Sequence, residues 1–250
     1  MSAEPNTTYV SFLLRSPTDH IDPAQRLEWL KPLLEITAPL ILFVDSFYIG
    51  SLPPSTPTQK FLPLEFGELE TVRQILGAQP LKLPDHRNSA KDTLEYMCIQ
   101  NSKPELLTIA KPHIRTPFVA YIDSGISKIF KRSETIRMLN TLAFKDIPYL
   151  LIPGCHPPAE RTVEQLELGI CWIFCGGFFV MPAECIYDFA AAHRATLQGF
   201  LDRGHIAWEV NIWASNLWKF YTDTNPPLIW YAADHNDTML SAIPAANASR

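Results

Sequence analysis

Phe118-Val-Ala-Tyr-Ile-Asp-Ser-Gly125 is the stretch whose reading decides the fold. Its five apolar or aromatic residues suit a short strand buried on both faces, and the run ends at an acid followed by Ser and Gly. A carboxylate at the end of a buried strand is costly to leave unpaired, so Asp123 either caps the following turn or faces a ligand or cation. Ser124 and Gly125 allow close backbone approach, which suits a phosphate or sugar lying across the turn. A plain Asx-turn fits the same residues.

Toward the N-terminus, Tyr9 to Leu14 reads as a first strand. Asp22-Pro23 supplies a cap and a first-turn proline for a helix with Leu27, Leu30, Leu33 and Leu34 at helical spacing. Leu40 to Val44 reads as a second buried strand, ending at Asp45. The proline-rich stretch from Gly50 to Pro63 reads as a surface connection. Helices are expected at residues 66–76, at 89–101 with Ser89 as cap, and from Ser102 with Pro104 in the first turn.

Toward the C-terminus the pattern predicts a helix at 133–141 and a strand at 149–152. Strand-like runs at Ile170–Phe174 and Phe178–Met181 flank Gly176-Gly177, and a long helix runs from Pro182 to Gly204. A helix over Trp208–Tyr221 and a last strand at Leu228–Tyr231 follow, with residues 243–250 as a flexible tail. The alternation predicts one α/β domain over residues 1–250 with a mixed, mostly parallel central sheet. Ligands of such sheets bind beyond the C-terminal strand ends, which directs Ser11, Phe12, Arg15, Asp45 and Asp123 toward one crevice.

Composition narrows the partners. The formal charge is −5, which argues against a surface built to neutralise nucleic-acid phosphates. No apolar run reaches the roughly 18 residues that a spanning helix requires, and the polar start does not read as a signal sequence. Five cysteines without a C-x-x-C pair read as free thiols, so a reducing, cytoplasmic location is expected.

Three further segments carry candidate chemistry. Gly176-Gly177 makes either a bulge or a backbone edge open to sugar hydroxyls. Trp208-Glu209 offers a ring for the apolar face of a pyranose beside an acid for hydroxyls or a proton, or else a helix-start acid with a core indole. Asp234-His235-Asn-Asp237 clusters side chains that suit manganese or magnesium, or a solvated turn.

In this order the segments resemble the HtrL/YibB-like family of predicted glycosyltransferases, itself similar to GT-A enzymes. The matching features run from Tyr9 to Leu240: the first strand, Trp29 to Asp45, Asn101-Ser-Lys103, Phe118 to Ile126, Gly176-Gly177, Trp208-Glu209, and Trp230 to His235. The resemblance implies a GT-A (Rossmann-like) fold that takes a nucleotide diphosphate-sugar donor and a glycan or glycoconjugate acceptor. Asp123 then matches an Asp-x-Asp-type motif for a divalent ion, Mn2+ or Mg2+. Position 125 is Gly where that motif has its second acid, and His235 would replace the missing ligand. Ser11, Phe12, Arg15, Asp45, Lys103, Asp123, Ser124, Gly125, Gly176 and Gly177 are the expected donor-binding residues. Glu209 and Asp123 are the catalytic candidates, and Trp208 with Glu209 would face the acceptor. A non-catalytic nucleotide-sugar-binding protein is the alternative, and a cysteine hydrolase using Cys155-His156 or Cys175 is a third reading.

Overall fold

The computed structural model describes residues 5–222 and 228–249. Its strands are β1 (Thr7–Leu13), β2 (Leu40–Val44), β3 (Gln59–Pro63), β4 (Phe118–Ile122), β5 (Ala143–Phe144), β6 (Leu150–Gly154), β7 (Phe178–Pro182), β8 (Leu228–Ala232) and β9 (Ala248–Ser249). The helices are α1 (Pro23–Leu34), α2 (Ser46–Ile49), α3 (Glu70–Gly77), α4 (Leu94–Asn101), α5 (Lys103–Ala110), α6 (Glu134–Arg137), α7 (Val163–Leu168), α8 (Ile186–Asp202), α9 (Glu209–Thr222) and α10 (Thr238–Ser241).

Seven strands form one sheet in the order β3-β2-β1-β4-β7-β6-β8. The strands β3, β2, β1 and β4 are mutually parallel, β6 and β8 pair in parallel, and β7 lies antiparallel between β4 and β6. The sheet is therefore mixed and mostly parallel, as the sequence predicts. Strand alternation divides its side chains between two cores. Val10, Phe12, Ile41, Phe43, Val119 and Tyr121 pack with residues of α4, α5, α8 and α9 on one face. Tyr9, Leu13, Leu40, Leu42, Ala120 and Ile122 pack with Leu30 and Leu33 of α1 on the other. Both faces are covered, which is why β2 and β4 are uninterrupted apolar and aromatic runs.

Strand order reverses between β1 and β4, since the chain steps to β2 on one side of β1 and to β4 on the other. This creates a switch point at the C-terminal edge of the sheet. Because β7 runs antiparallel, its N-terminal end meets the C-terminal ends of its neighbours at that edge.

Several local expectations change. Gln59–Pro63 is an edge strand parallel to β2, within the expected surface connection. Edge placement tolerates its terminal proline. The second helix begins at Leu94, with Thr93 Oγ1 accepting from Tyr96 N at 3.2 Å; the cap is Thr93, not Ser89. Ser102 occupies the expected N-cap position of α5, but its side chain makes no capping bond, because its hydroxyl donates to Cys98 O at 2.8 Å. Ile170–Phe174 is not a strand; its backbone instead crosses the end of β6. The long helix starts at Ile186, after a single tight turn at Ala183–Cys185. The expected tail is docked: β9 pairs with β5, and Asn247 Nδ2 donates to Asp146 O at 3.2 Å. Arg250 lies outside the described residues.

Candidate functional site

The switch point opens into a cavity of about 450 Å3. It is lined by Phe12 to Leu14 from β1, Asp123 to Ile126 after β4, Gly176-Gly177 before β7, Trp208 to Val210 at the start of α9, and His235 after β8. Trp29 and Lys128 form part of one wall, and Lys91, Tyr96, Lys103 and Trp172 also line it.

A buried charge cluster underlies this cavity. Lys103 is the first residue of α5 and is 1% exposed. Its ammonium donates to Glu209 Oε1 at 2.6 Å and to Gly176 O at 2.9 Å, and stands 3.5 Å from Asp123 Oδ1. These contacts account for its three N–H donors. Glu209 opens α9, where the helix dipole favours a negative charge, and is 4% exposed. Gly176 is required here: a Cβ at that position would stand 2.1 Å from Glu209 Oε1.

Asp123 differs from Glu209 in its access to solvent. Its side chain is 39% exposed, while its backbone N–H donates to Gly177 O at 2.9 Å. Tyr121 lies two residues earlier on the same strand, and its hydroxyl donates to Asp123 Oδ1 at 2.6 Å. Among the described residues no hydrogen bond reaches Oδ2.

The cluster sets one ammonium against two carboxyl groups. Burial works against the Lys103 ammonium, but Asp123 and Glu209 outweigh it and raise its pKa above the ordinary lysine range. Burial pushes the Glu209 carboxyl up, and Lys103 only partly opposes this. Across the cavity, burial lowers the Lys128 pKa against the opposing pull of Asp123. The Lys128 ammonium lies 4.7 Å from the Trp29 ring centroid.

The cavity thus gathers Phe12, Lys103, Asp123, Ser124, Gly125, Gly176, Gly177, Trp208, Glu209 and His235. Ser11, Arg15 and Asp45 are not among its lining residues. Ser11 is fully buried, and the Arg15 guanidinium lies 4.2 Å from the Phe47 ring centroid. Asp45 caps α2, accepting from Phe47 N at 3.0 Å and from Arg15 N at 3.3 Å. Trp208 is 5% exposed, so its ring belongs mostly to the core. Lys128, Tyr121 and Trp29 escaped the sequence reading. Tyr121 was legible in principle, because residues two apart on a strand share a face.

No protein-family model matches this chain, and no curated protein matches it in sequence.

The donor set at Asp123 does not fit a hard divalent ion held by the protein alone. Such an ion prefers several oxygen ligands. Here one carboxylate oxygen is engaged by Tyr121 and Lys103, and position 125 supplies no second acid. The metal-compatible group among the described residues is Cys155, Cys175 and His235. A cysteine nucleophile gains little support at this edge. Burial pushes the Cys175 thiol far up, which disfavours the thiolate that a nucleophile requires.

Proposed function

We propose that this cavity binds a nucleotide diphosphate-sugar and that the protein transfers the sugar to a hydroxyl of a glycan or glycoconjugate. The observation that carries this reading is the half-exposed Asp123 carboxylate at the switch point, held by Tyr121 and backed by a buried Lys103–Glu209 pair. A carboxylate in a switch-point crevice is well suited to accept hydrogen bonds from ribose or hexose hydroxyls. The cavity volume is within the roughly 300–1,000 Å3 usual for small-molecule sites.

Charge is distributed to match such a donor. Lys103 has no spare N–H for phosphate, because Glu209, Gly176 and Asp123 take its donors. Lys128 and Lys91 line the cavity and meet the diphosphate charge, which grows on the leaving group as the bond to the sugar breaks. Trp29 and Trp172 line the cavity and supply apolar ring surface for the sugar. Glu209 holds Lys103 in place and is therefore a positioning residue rather than the base.

The engagement of Glu209 also favours a second reading, in which the protein binds the donor without turning it over. A turnover assay separates the two: incubate the protein with a panel of nucleotide diphosphate-sugars and glycan acceptors, with and without Mn2+, and measure release of the nucleoside diphosphate. Release that depends on acceptor and falls by about 100-fold or more in Asp123→Asn supports transfer, since loss of one preorganised polar group costs on the order of 100-fold. Binding without release supports the second reading. Neither binding nor release for any donor refutes both.

A further inference from the structure

The geometry points to a zinc site formed by Cys155, Cys175 and His235 at the edge of the cavity. Cys155 follows β6, Cys175 precedes Gly176 and β7, and His235 follows β8. The sulfur atoms are 3.4 Å apart, and with a His235 ring nitrogen all three donor atoms lie within 4.8 Å of one another. Two thiolates each about 2.3 Å from a tetrahedral zinc stand roughly 3.8 Å apart, and a thiolate and an imidazole nitrogen about 3.5 Å apart, so side-chain shifts of about 1 Å close the site.

The backbone brings the three donors together before any ion arrives. Cys175 N donates to Pro153 O at 2.8 Å, Cys155 N to Trp172 O at 3.0 Å, and Ala233 N to Gly154 O at 3.0 Å. These bonds tie the three donor-bearing segments to one another. Gly154 makes their close approach feasible, because a Cβ there would stand 1.9 Å from the Ile173 carbonyl oxygen. Trp172 adopts a left-handed backbone with φ 52°, and its ring meets the His235 ring edge-on at 4.3 Å. That conformation is unfavourable for a bulky residue and is maintained only when its surroundings require it.

The donor chemistry selects the ion. Two thiolates and one imidazole favour a soft or borderline cation such as Zn2+ over Mn2+ or Mg2+. Cys175 is buried, Cys155 half-buried and His235 exposed, and His235 also lines the cavity. Three protein ligands leave the fourth tetrahedral position to water or to a group entering the cavity. No oxidation is involved: two S–H bonds release their protons to solvent as two Zn–S bonds form. This site does not depend on the sugar-transfer reading.

The test uses the full chain, reduced and freed of metal. Titrate it with Co2+, which reports thiolate ligation by charge-transfer absorption, then displace the Co2+ with Zn2+ against a chromogenic chelator. One ion per chain is expected, with thiolate-to-cobalt absorption. Cys155→Ser, Cys175→Ser and His235→Ala should each weaken binding by more than the roughly 10–100-fold that loss of a group merely supporting a ligand costs. Cys185→Ser should leave it unchanged. Because a variant can lose metal by misfolding, proton release on adding Zn2+ to the wild-type chain gives an independent reading, with about two protons expected per ion. Absence of charge-transfer absorption and of proton release in folded, reduced wild type overturns the proposal. Equal zinc affinity in wild type and all three ligand variants also overturns it.

Discussion

Replacing Lys103 with Met tests whether the charge cluster under the cavity is a mutually dependent unit. Lys103 is 1% exposed and its nitrogen contacts Glu209 at 2.6 Å, Gly176 O at 2.9 Å and Asp123 at 3.5 Å. The substitution leaves a 4% exposed Glu209 without its cation and a buried carbonyl without its donor. Breaking a buried ion pair by removing one partner costs about 3–5 kcal/mol. For a chain of this size, each kcal/mol lowers the melting temperature by roughly 2–4 °C, so a fall on the order of 10 °C is expected. The loss should shrink at lower pH, because burial already raises the Glu209 pKa and removing Lys103 takes away the cation that opposes this. The folded variant then holds a proton that the unfolded chain releases, an advantage present at low pH and lost as pH rises through the folded-state pKa. Urea unfolding of Lys103→Met, Glu209→Met and the double variant forms a double-mutant cycle. An apolar pair of similar volume should recover most of the stability, giving a coupling of at least about 2 kcal/mol. Additive losses, or a Lys103→Met variant as stable as wild type, would refute the reasoning.

Other sites give separate checks. His193 is buried beside Trp213, whose indole N–H donates to His193 Nδ1 at 3.0 Å, and burial lowers its pKa from 6.5 to about 4. The unfolded chain therefore binds this proton more readily, and stability should fall as pH drops from 6.5 to 4, by roughly 3 kcal/mol at the acid end; unfolding curves for His193→Gln should lack that component. Gly176→Ala places a Cβ 2.1 Å from Glu209 Oε1, so it should destabilise by about 1–3 kcal/mol and reduce donor binding, both readable in one thermal-shift series with and without ligand. Lys128→Met should weaken nucleoside diphosphate binding about tenfold or more, with a shallower salt dependence than wild type, since a charge-assisted hydrogen bond contributes about 1.5–3 kcal/mol; unchanged affinity and salt slope would remove Lys128 from the site.

Much of the fold was legible because its signals are local. Leu40–Val44 and Phe118–Ile122 are continuous apolar runs and occur as strands with those bounds. Asp22 and Pro23 mark the start of α1 through chemistry confined to one turn. Gln59–Pro63 was illegible because an edge strand needs little apolar patterning, and its pairing partner β2 supplies the order. The tail was misread because its polar and small residues gain structure only from β5, over a hundred positions away. At the site, Asp123, Lys103, Gly176 and Glu209 come together although no sequence spacing relates them. Sheet topology decides which strand ends meet, and it likewise sends Asp45 to a helix cap and Arg15 onto Phe47. The Cys155–Cys175 pair has no motif spacing either, because β6 and β7 bring the two residues together only in the folded sheet.

The proposed sugar transfer requires that Asp123 recognise a nucleotide diphosphate-sugar in the switch-point cavity. Calorimetric titration of wild type and Asp123→Asn with a panel of such donors, each with and without Mn2+, tests it most directly. Asparagine keeps the size of the side chain and leaves the Lys103–Glu209 pair in place, so the variant should remain folded. Saturable, one-site binding of at least one donor to wild type is expected, weakened about tenfold or more in the variant, as when a hydrogen bond to a charged group is lost. Equal donor affinity in the two proteins, or no binding of any donor to folded wild type, would contradict it.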